Sequence, residues 1–314
     1  MRRSAIQRHC DLPRYLWERM GPRTLQLERR FRPDRDASAR IRDWTRSSGA
    51  PQLTICIPIK NRLDLLMPCL DSLAVTCAGR SVEVVIGDTG SSRQTLEFCS
   101  SLGLRTVFIS GPFSFSRACN EMASAARGES LLFLNSDTEA ISPDWVERLL
   151  HVPDGEIVGA ALVYPGTRRV QHAGVEAVPG GGRLRPNVYR PPNSNRSDFS
   201  SALQHIGTGE RLESLTTQRA SVMAVTGAFL YTPRVRFHSL ERFDEAFRVD
   251  LQDIDYCLRA RAQGMDVICR RDIVFSHKQG GSRGRYRFPL DDWRLFYGRW
   301  AGELERWKAA GTAV

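Results

Sequence analysis

Short apolar runs alternate with helix-like stretches along the first half of the chain. The first run, Leu53–Pro58, is apolar on both faces, which predicts a central strand of a parallel sheet. Arg62–Thr76 follows, with leucines at helical spacing. The alternation continues with strands predicted at Val82–Ile86, Arg105–Ile109 and Ser130–Leu134 and with helices predicted near Arg93–Leu102 and Ser114–Ala126. This order predicts an α/β fold built on a Rossmann-like, mostly parallel nucleotide-binding sheet flanked by helices.

The second half of the chain has a different pattern. Residues 165–215 are rich in Gly, Pro, Asn, Ser and Arg, which predicts loops and a mobile segment that covers a substrate. Regular elements are then predicted at Ser221–Tyr231, Ile254–Gln263 (a helix), Asp266–Cys269, Ile273–His277 and Leu290–Lys308 (a helix). We therefore expect an extension over 1–50 with short helices around Pro13–Glu18 and Leu25–Phe31, a nucleotide-binding half over 51–140, a second half of the same domain over 141–289, and a terminal helix over 290–314.

Composition and charge indicate the cellular compartment of the protein and the kind of partner it binds. The 314 residues include no apolar run of about 18, and the N-terminus lacks the apolar core of a signal peptide, so we expect a cytoplasmic protein. The eight cysteines form no CxxC pair, which is typical of reduced thiols. The net charge is +10, and residues 1–50 alone hold 13 arginines against six acidic residues. This basic segment suits an anionic partner, and it could contact the inner face of the plasma membrane.

The first chemical motif is LLFLNSDTEAIS, residues 131–142. It predicts a strand whose carboxyl end delivers Asn135, Ser136 and Asp137, and ligands of open α/β sheets bind at that end. Carboxylate, amide and hydroxyl oxygens suit a hard divalent cation bridging phosphates. The alternative is that Asp137 and Thr138 cap a helix beginning at Pro143.

A second strand ends in an acidic turn, VVIGDTGSS, residues 84–92. Asp88 in this turn could accept a hydrogen bond from the ring N–H of a pyrimidine base. The alternative is an Asx-type turn that only precedes a helix.

Three acids cluster in DLQDIDYCLRARAQG, residues 250–264. Asp253 and Asp255 lie at the start of a predicted helix, where the helix dipole stabilises carboxylates, so capping is one interpretation. Three acids exceed what capping needs. At least one of them could act as a general base that takes a proton from an attacking hydroxyl.

The fourth motif, VFSHKQGGSRGRYR (residues 274–287), ends a strand with His277 and continues into a basic glycine-rich loop. An imidazole nitrogen of His277 can ligate a cation, and Lys278, Arg283 and Arg285 can meet phosphate oxygens. The alternative is a structural histidine at a strand end.

Together these segments resemble glycosyltransferase family two, of the GT-A fold, in its bacterial cell-surface polysaccharide branch of rhamnosyltransferase-like enzymes. The resemblance covers roughly residues 52–300, and it implies that the half over 51–140 binds the nucleotide sugar and that the half over 141–289 binds the acceptor and carries out catalysis. Its segments, in order, are TICIPIKNR, GDTGSS, FSRACNEMASAARGESLLFLNSDTE, RVQHAGVEAVPGGG, VTGAFLYTP, FDEAFRVDLQDIDYCLRA and SHKQGGSRG.

The resemblance implies roles for individual residues. Asp253 falls at the position of the catalytic base. Asp137 would hold Mg²⁺ or Mn²⁺ on the donor diphosphate, with His277 as a further ligand. The residues implied in nucleotide or donor binding are Pro58, Asn61, Arg62, Asp88, Arg117, Asn120, Asn135, Ser136 and Arg283. Those implied at the acceptor entrance are Trp293, Arg294 and Tyr297.

Two departures from the family pattern matter. Asn135 stands where members often have a first aspartate, so the cation should depend more on the donor phosphates. Gln252 replaces the usual acid before Asp253, which removes a charge that would raise the pKa of the base.

The predicted function is a metal-dependent inverting transfer of a sugar from a nucleotide sugar to a glycan or lipid-linked acceptor. One alternative is a nucleotidyltransferase, although IPIKNR lacks the glycines of a phosphate loop. The others are a catalytically degenerate binding protein and a membrane- or nucleic-acid-binding protein. No stacked-aromatic or recognition-helix pattern supports nucleic acid as a partner.

Overall fold

The computed structural model of the chain describes residues 34–45, 50–153, 155–179, 188–189, 201–278, 280 and 289–310. The predicted helices at Pro13–Glu18 and Leu25–Phe31 and the basic segment before residue 34 lie outside these residues. The strands are β1 (Leu53–Ile59), β2 (Val82–Asp88), β3 (Arg105–Phe108), β4 (Ser130–Leu134), β5 (Thr138–Ala140), β6 (Ile157–Val163), β7 (Val170–His172), β8 (Val175–Pro179), β9 (Val188–Tyr189), β10 (Ser201–His205), β11 (Arg219–Ser221), β12 (Phe229–Pro233) and β13 (Val267–His277). The helices are α1 (Arg35–Thr45), α2 (Leu63–Thr76), α3 (Arg93–Ser101), α4 (Phe115–Ala125), α5 (Trp145–Leu150), α6 (Arg234–Ser239), α7 (Gln252–Ala262) and α8 (Leu290–Ala310).

A ten-stranded sheet joins the two predicted halves. Its strand order is β11-β13-β6-β12-β4-β1-β2-β3, with β5 added to β13 and β7 added to β6. Strand β1 is parallel to β2 and β4, β2 to β3, and β13 to β6. Because β12 is antiparallel to both β4 and β6, those two strands point the same way. The carboxyl ends of β1, β2, β4, β6 and β13 therefore meet along one side of the sheet, which we call the carboxyl edge.

Apolar side chains fill both faces of this sheet, which explains why its central strands are apolar throughout. On one face, the Phe133 ring packs 4.9 Å from the rings of Phe237 and Phe243. On the other face, the Trp145 ring lies 5.3 Å from that of Phe275. Every residue of β4 and β6 is buried.

Three elements of the second half differ from the prediction. Ser221–Tyr231 is not one element, because β11 pairs with β13 while β12 crosses to lie between β4 and β6. The two strands predicted at Asp266–Cys269 and Ile273–His277 are one strand, β13, whose register against β6 shifts between Arg270 and Val274.

The polar stretch at 165–215 is more regular than predicted, since it contains β7, β8, β9 and β10. Strands β8, β10 and β9 form a separate antiparallel sheet. Helix α8 supports this sheet, because the Tyr297 hydroxyl donates to the Ser201 carbonyl over 3.1 Å.

Helix α1 was not predicted at all. It buries Ile41 and Trp44 one turn apart, and Arg40 Nε donates to Asp71 Oδ1 on α2 over 2.9 Å. In the part of the chain that the structure describes, no helix has the length and apolar character needed to cross a membrane.

Candidate active site

Asp137 and His277 lie side by side at the carboxyl edge. Strand β5 pairs with β13 so that Thr138 faces His277, and Lys278 N donates to the Asp137 carbonyl over 2.9 Å. This pairing places His277 Nε2 3.3 Å from Asp137 Oδ1. Both residues are buried. The capping alternative for Asp137 is wrong, because the next residue begins a strand and helix α5 begins only at Trp145.

The ring of His277 is held from its other side by Gln171 of β7. Gln171 Oε1 lies 2.6 Å from His277 Nδ1, and Gln171 Nε2 donates to the His277 carbonyl over 3.1 Å. The motif RVQHAG was part of the resemblance, but no role was predicted for its glutamine. A polar residue in a short, fully buried strand is the signal that marks it.

The turn between β4 and β5 is fixed by its backbone. Asn135 N donates to the Ala228 carbonyl over 3.2 Å, and Thr138 Oγ1 donates to the Asn135 carbonyl over 2.8 Å. Ser136 is buried beside them. The turn therefore brings the predicted donor-binding residues Asn135 and Ser136 to the carboxyl edge next to Asp137.

The carboxylate of Asp253 is held at the same edge by two backbone amides. Gly227 N donates to Asp253 Oδ2 over 2.6 Å, and Ile254 N donates to Oδ1 over 2.9 Å. Gly227 directly precedes Ala228, whose carbonyl binds Asn135, so the loop before β12 links Asp253 to the turn that carries Asp137.

Burial raises the pKa of the Asp253 carboxyl above its ordinary value, and the charge of Asp250 adds to this increase. The two backbone hydrogen bonds stabilise the ionised form and offset part of the shift. A carboxylate with a raised pKa is a better proton acceptor when ionised, which suits a general base.

Asp255, the other acid at the start of α7, has a structural role. Its side chain is fully buried, and its Oδ1 accepts hydrogen bonds from Arg299 Nη1 over 2.6 Å and Trp300 Nε1 over 2.9 Å. Arg259 Nε donates to its Oδ2 over 2.8 Å. Asp255 therefore anchors α8 to α7 and is not available as a base.

Asp88 ends β2, and its Oδ1 accepts a hydrogen bond from Ser91 N over 2.9 Å. The predicted Asx-type turn is therefore present. This bond uses one of the four lone-pair positions of a carboxylate. Asp88 can therefore form the turn and also accept a hydrogen bond from the ring N–H of a nucleotide base.

The loop after β1 lies against this turn. Asn61 N donates to Ser91 Oγ over 2.8 Å, and Ser92 N donates to Asn61 Oδ1 over 2.7 Å. Asn61 and Arg62 both have left-handed backbone geometry, with φ of 56° and 58°. Such geometry is uncommon for residues other than glycine and is frequent at ligand sites. Pro58 pairs with Gly87 in the same two strands, so these predicted nucleotide contacts share one end of the carboxyl edge.

Arg117 and Asn120, the two residues of helix α4 that were predicted to contact the donor, lie in different surroundings. Arg117 lies in the first turn, and its guanidinium donates to the Pro112 carbonyl. Asn120 is buried; its amide donates to the Phe243 carbonyl over 2.8 Å and accepts from Phe243 N over 3.1 Å. Asn120 thus holds the segment before α7 in place, and both ends of its amide are used by the Phe243 backbone instead of pointing to a donor.

Of the three residues predicted at the acceptor entrance, two are buried in the protein and one is exposed. Trp293 and Tyr297 are buried and stacked, with ring centroids 6.0 Å apart. Arg294 is exposed and pairs with Asp291 over 3.5 Å. Arg283 and Arg285 lie outside the described residues.

Asp292 was not predicted, and it organises the loop that leads to Asp253. Its Oδ2 accepts from the backbone N–H groups of three consecutive residues, at distances of 2.8–3.2 Å; these are Arg248, Val249 and Asp250. Nothing in the sequence pattern connects these positions, because 42 to 44 residues separate them.

Comparison with known proteins agrees with this architecture. The fold superposes on a crystal structure of GalNAc-T7 with UDP, GalNAc and Mn²⁺ with a TM-score of 0.58 and 12% sequence identity. The superposition covers 82% of this chain and 50% of the GalNAc-T7 chain. The predicted fold class, a GT-A glycosyltransferase fold with a curled, mostly parallel sheet, is thereby confirmed.

Sequence comparison points to the same family as the motifs. Residues 54–196 match the family model described as Glycosyl transferase family 2, the family that the motifs resemble. It is 32% identical over 257 residues to the O-antigen biosynthesis protein RfbC of Myxococcus xanthus, which covers 79% of this chain. It is 30% identical over 128 residues, 37% of the chain, to a PGL/p-HBAD biosynthesis glycosyltransferase of Mycobacterium tuberculosis. The chain spans 19% and 48% of the lengths of these two relatives.

Proposed function

We propose that this chain is a metal-dependent inverting glycosyltransferase. It moves a sugar from a nucleoside-diphosphate sugar to a hydroxyl group of a glycan or lipid-linked acceptor in cell-surface polysaccharide biosynthesis. The observation that carries the proposal is the arrangement of Asp137, His277 and Asp253 at one sheet edge. The setting in cell-surface polysaccharide biosynthesis is supported by the two bacterial relatives, whose names refer to O-antigen and PGL/p-HBAD biosynthesis.

The donor nucleotide lies across the ends of β1 and β2. Asp88 accepts from the ring N–H of the base, while Pro58, Asn61 and Arg62 border the nucleotide. The strained loop at Asn61 is already tied to the Asp88 turn, so this part of the site is preorganised. Arg117, Asn135, Ser136 and Arg283 contribute further donor contacts.

Asp137 and His277 fit a divalent cation. His277 Nε2 has no hydrogen-bond partner among the described residues, although it is buried 3.3 Å from a carboxylate oxygen. The described residues contain no group of three or more His, Cys, Asp or Glu side chains that could hold a metal, so the donor phosphates must complete the coordination. Mg²⁺ or Mn²⁺ held there would neutralise charge on the departing nucleoside diphosphate.

Asp253 acts as the base. It removes the proton of the acceptor hydroxyl while that oxygen attacks the anomeric carbon on the face opposite the diphosphate. A single displacement of this kind inverts the configuration at that carbon. The two backbone donors to Asp253 fix the direction in which its carboxylate points, and the base accounts for about 10²–10⁴-fold in rate.

A donor screen tests the proposal. Thermal shift is measured with a panel of nucleoside-diphosphate sugars, each with Mn²⁺ and with EDTA. We expect at least one donor to raise the melting temperature only with Mn²⁺, and Asp137→Ala to abolish that shift. The donor that passes is then tested for transfer, and the anomeric configuration of the product is read by NMR. A product with retained configuration, or a donor shift insensitive to EDTA, contradicts the proposal.

A further inference from the structure

Gln171 contacts His277 twice, through the two ends of one amide group. The amide nitrogen donates to the backbone carbonyl of His277 over 3.1 Å, and the amide oxygen lies 2.6 Å from Nδ1 of the ring. Gln171 is 3% exposed, and its own carbonyl accepts from Thr208 Oγ1 over 3.0 Å. The glutamine is therefore held at both its backbone and its side chain.

These contacts determine where the ring carries its hydrogen. A backbone carbonyl can only accept, so the NH₂ end of the Gln171 amide must face it and the oxygen end must face Nδ1. The amide oxygen can also only accept, so Nδ1 of His277 must be the donor. In a neutral imidazole the other nitrogen, Nε2, then presents a lone pair, and it does so 3.3 Å from Asp137 Oδ1.

We propose that Gln171 is a positioning residue of the cation site. It locks His277 in the tautomer and rotamer that aim a lone pair of Nε2 at the space beside the Asp137 carboxylate. Two acceptors that face each other repel unless a positive species lies between them, and a divalent cation satisfies both. The inference rests on the proposed function, because it assigns a task toward the metal of the same site.

The test measures the binding of Mn²⁺ alone. The EPR signal of the free ion gives the affinity, and pulsed EPR detects the ¹⁴N of a coordinated imidazole. Q171M keeps the length of the side chain and removes both hydrogen bonds. We expect it to lower the affinity for Mn²⁺ by about 10–100-fold and to weaken the ¹⁴N modulation, the usual effect of losing a partner of a metal-bound histidine. If Q171M does not fold, Q171N takes its place. It keeps an amide but is too short for both contacts, so we expect the same loss of Mn²⁺ affinity and of ¹⁴N modulation.

Q171E is the conservative rescue. Its carboxylate still accepts from Nδ1 but cannot donate to the His277 carbonyl, so Mn²⁺ affinity and the ¹⁴N signal should lie between those of wild type and Q171M. A residue that served only packing would show no such difference between the two variants. Gln263→Leu, at an exposed position just after α7, is the matched control and should leave Mn²⁺ binding unchanged.

H277A distinguishes the role of Gln171 from the existence of the cation site itself. If H277A loses Mn²⁺ binding while folded Q171M and Q171N retain wild-type affinity and ¹⁴N modulation, the role of Gln171 is overturned and the cation site stands. If H277A itself keeps wild-type Mn²⁺ binding, the cation site of the proposed function fails, and the role of Gln171 fails with it.

Discussion

The backbone N–H of Gly227 donates a 2.6 Å hydrogen bond to Asp253 Oδ2. A Cβ atom at Gly227 would lie 3.5 Å from that oxygen and 3.3 Å from the ring of Phe115, so the loop before β12 packs closely against the carboxylate. The next residue binds Asn135 through its carbonyl. The proposed base and the proposed cation site are therefore parts of one hydrogen-bonded unit, and their relative position does not depend on a flexible loop.

Replacing Asp253 by asparagine should separate donor binding from transfer. The side chain keeps its size but cannot accept the acceptor proton, so we expect kcat to fall by about 10²–10⁴-fold. The metal-dependent thermal shift produced by the donor should persist. The measurements are initial transfer rates and thermal shift with the donor identified by the screen. Asp291→Asn, on an exposed acid of α8, is the control with unchanged rate. Wild-type turnover in Asp253→Asn would exclude this carboxylate as the base.

The raised pKa of Asp253 predicts the acid limb of the pH–rate profile. Because the ionised form is the active base, kcat/KM should fall as the pH drops through this pKa, and the midpoint should lie above the ordinary value of 3.8. The Asp250 charge contributes to the increase, so Asp250→Asn should move the acid limb to lower pH. The profile is measured from pH 4 to about 8.

Asp36→Asn changes the same charge at an exposed position in α1 and should leave the limb in place. A shift of the limb to higher pH in Asp250→Asn would show that a different group limits the rate.

The sequence predicted the first half of the fold well because its signals are local. In a parallel sheet a buried strand is a continuous apolar run, and a crossing helix repeats apolar residues every three or four positions, as the leucines of Leu63–Thr76 do. The rule that ligands bind at the carboxyl ends of strands also led to the prediction of Asp88, Asp137 and His277 as site residues from their neighbours in sequence.

The contacts that organise the site depend on the three-dimensional fold. Gln171 reaches His277 across 106 residues, because β6 pairs with both β7 and β13. No spacing rule predicts such a contact. The path of Ser221–Tyr231 was missed for the same reason: only the tertiary arrangement decides that the chain leaves β13 and enters the sheet between β4 and β6.

Asp292 should contribute to stability as well as to the site. In Asp292→Ala three partly buried backbone N–H groups lose their common buried acceptor, and we expect the free energy of unfolding to fall by about 2–4 kcal/mol. Asp292→Asn keeps one acceptor oxygen, and its loss should be about half as large. Urea denaturation of both variants gives these values. The neighbouring Asp291→Ala, whose side chain is 97% exposed, should change stability by less than about 0.5 kcal/mol. Equal losses in Asp291→Ala and Asp292→Ala would contradict the role of the buried carboxylate.

Two phenylalanines at opposite extremes of burial test the packing of the sheet. Phe133 on β4 is fully buried between Phe237 and Phe243, whereas Phe108 on the edge strand β3 is 66% exposed. Phe133→Ala removes aromatic contacts and leaves a cavity that the surrounding strands cannot close, so we expect a loss of about 3–5 kcal/mol in the free energy of unfolding.

Phe108→Ala removes the same atoms from a position mostly in water and should cost less than about 0.5 kcal/mol. Both values come from urea denaturation, with the dependence on denaturant checked to be equal so that the midpoints can be compared. Because the two substitutions are chemically identical, any difference between them measures burial alone. Similar losses in the two variants would mean that β4 is not the centre of the sheet, and the carboxyl edge that carries Asp137 would then have to be placed elsewhere.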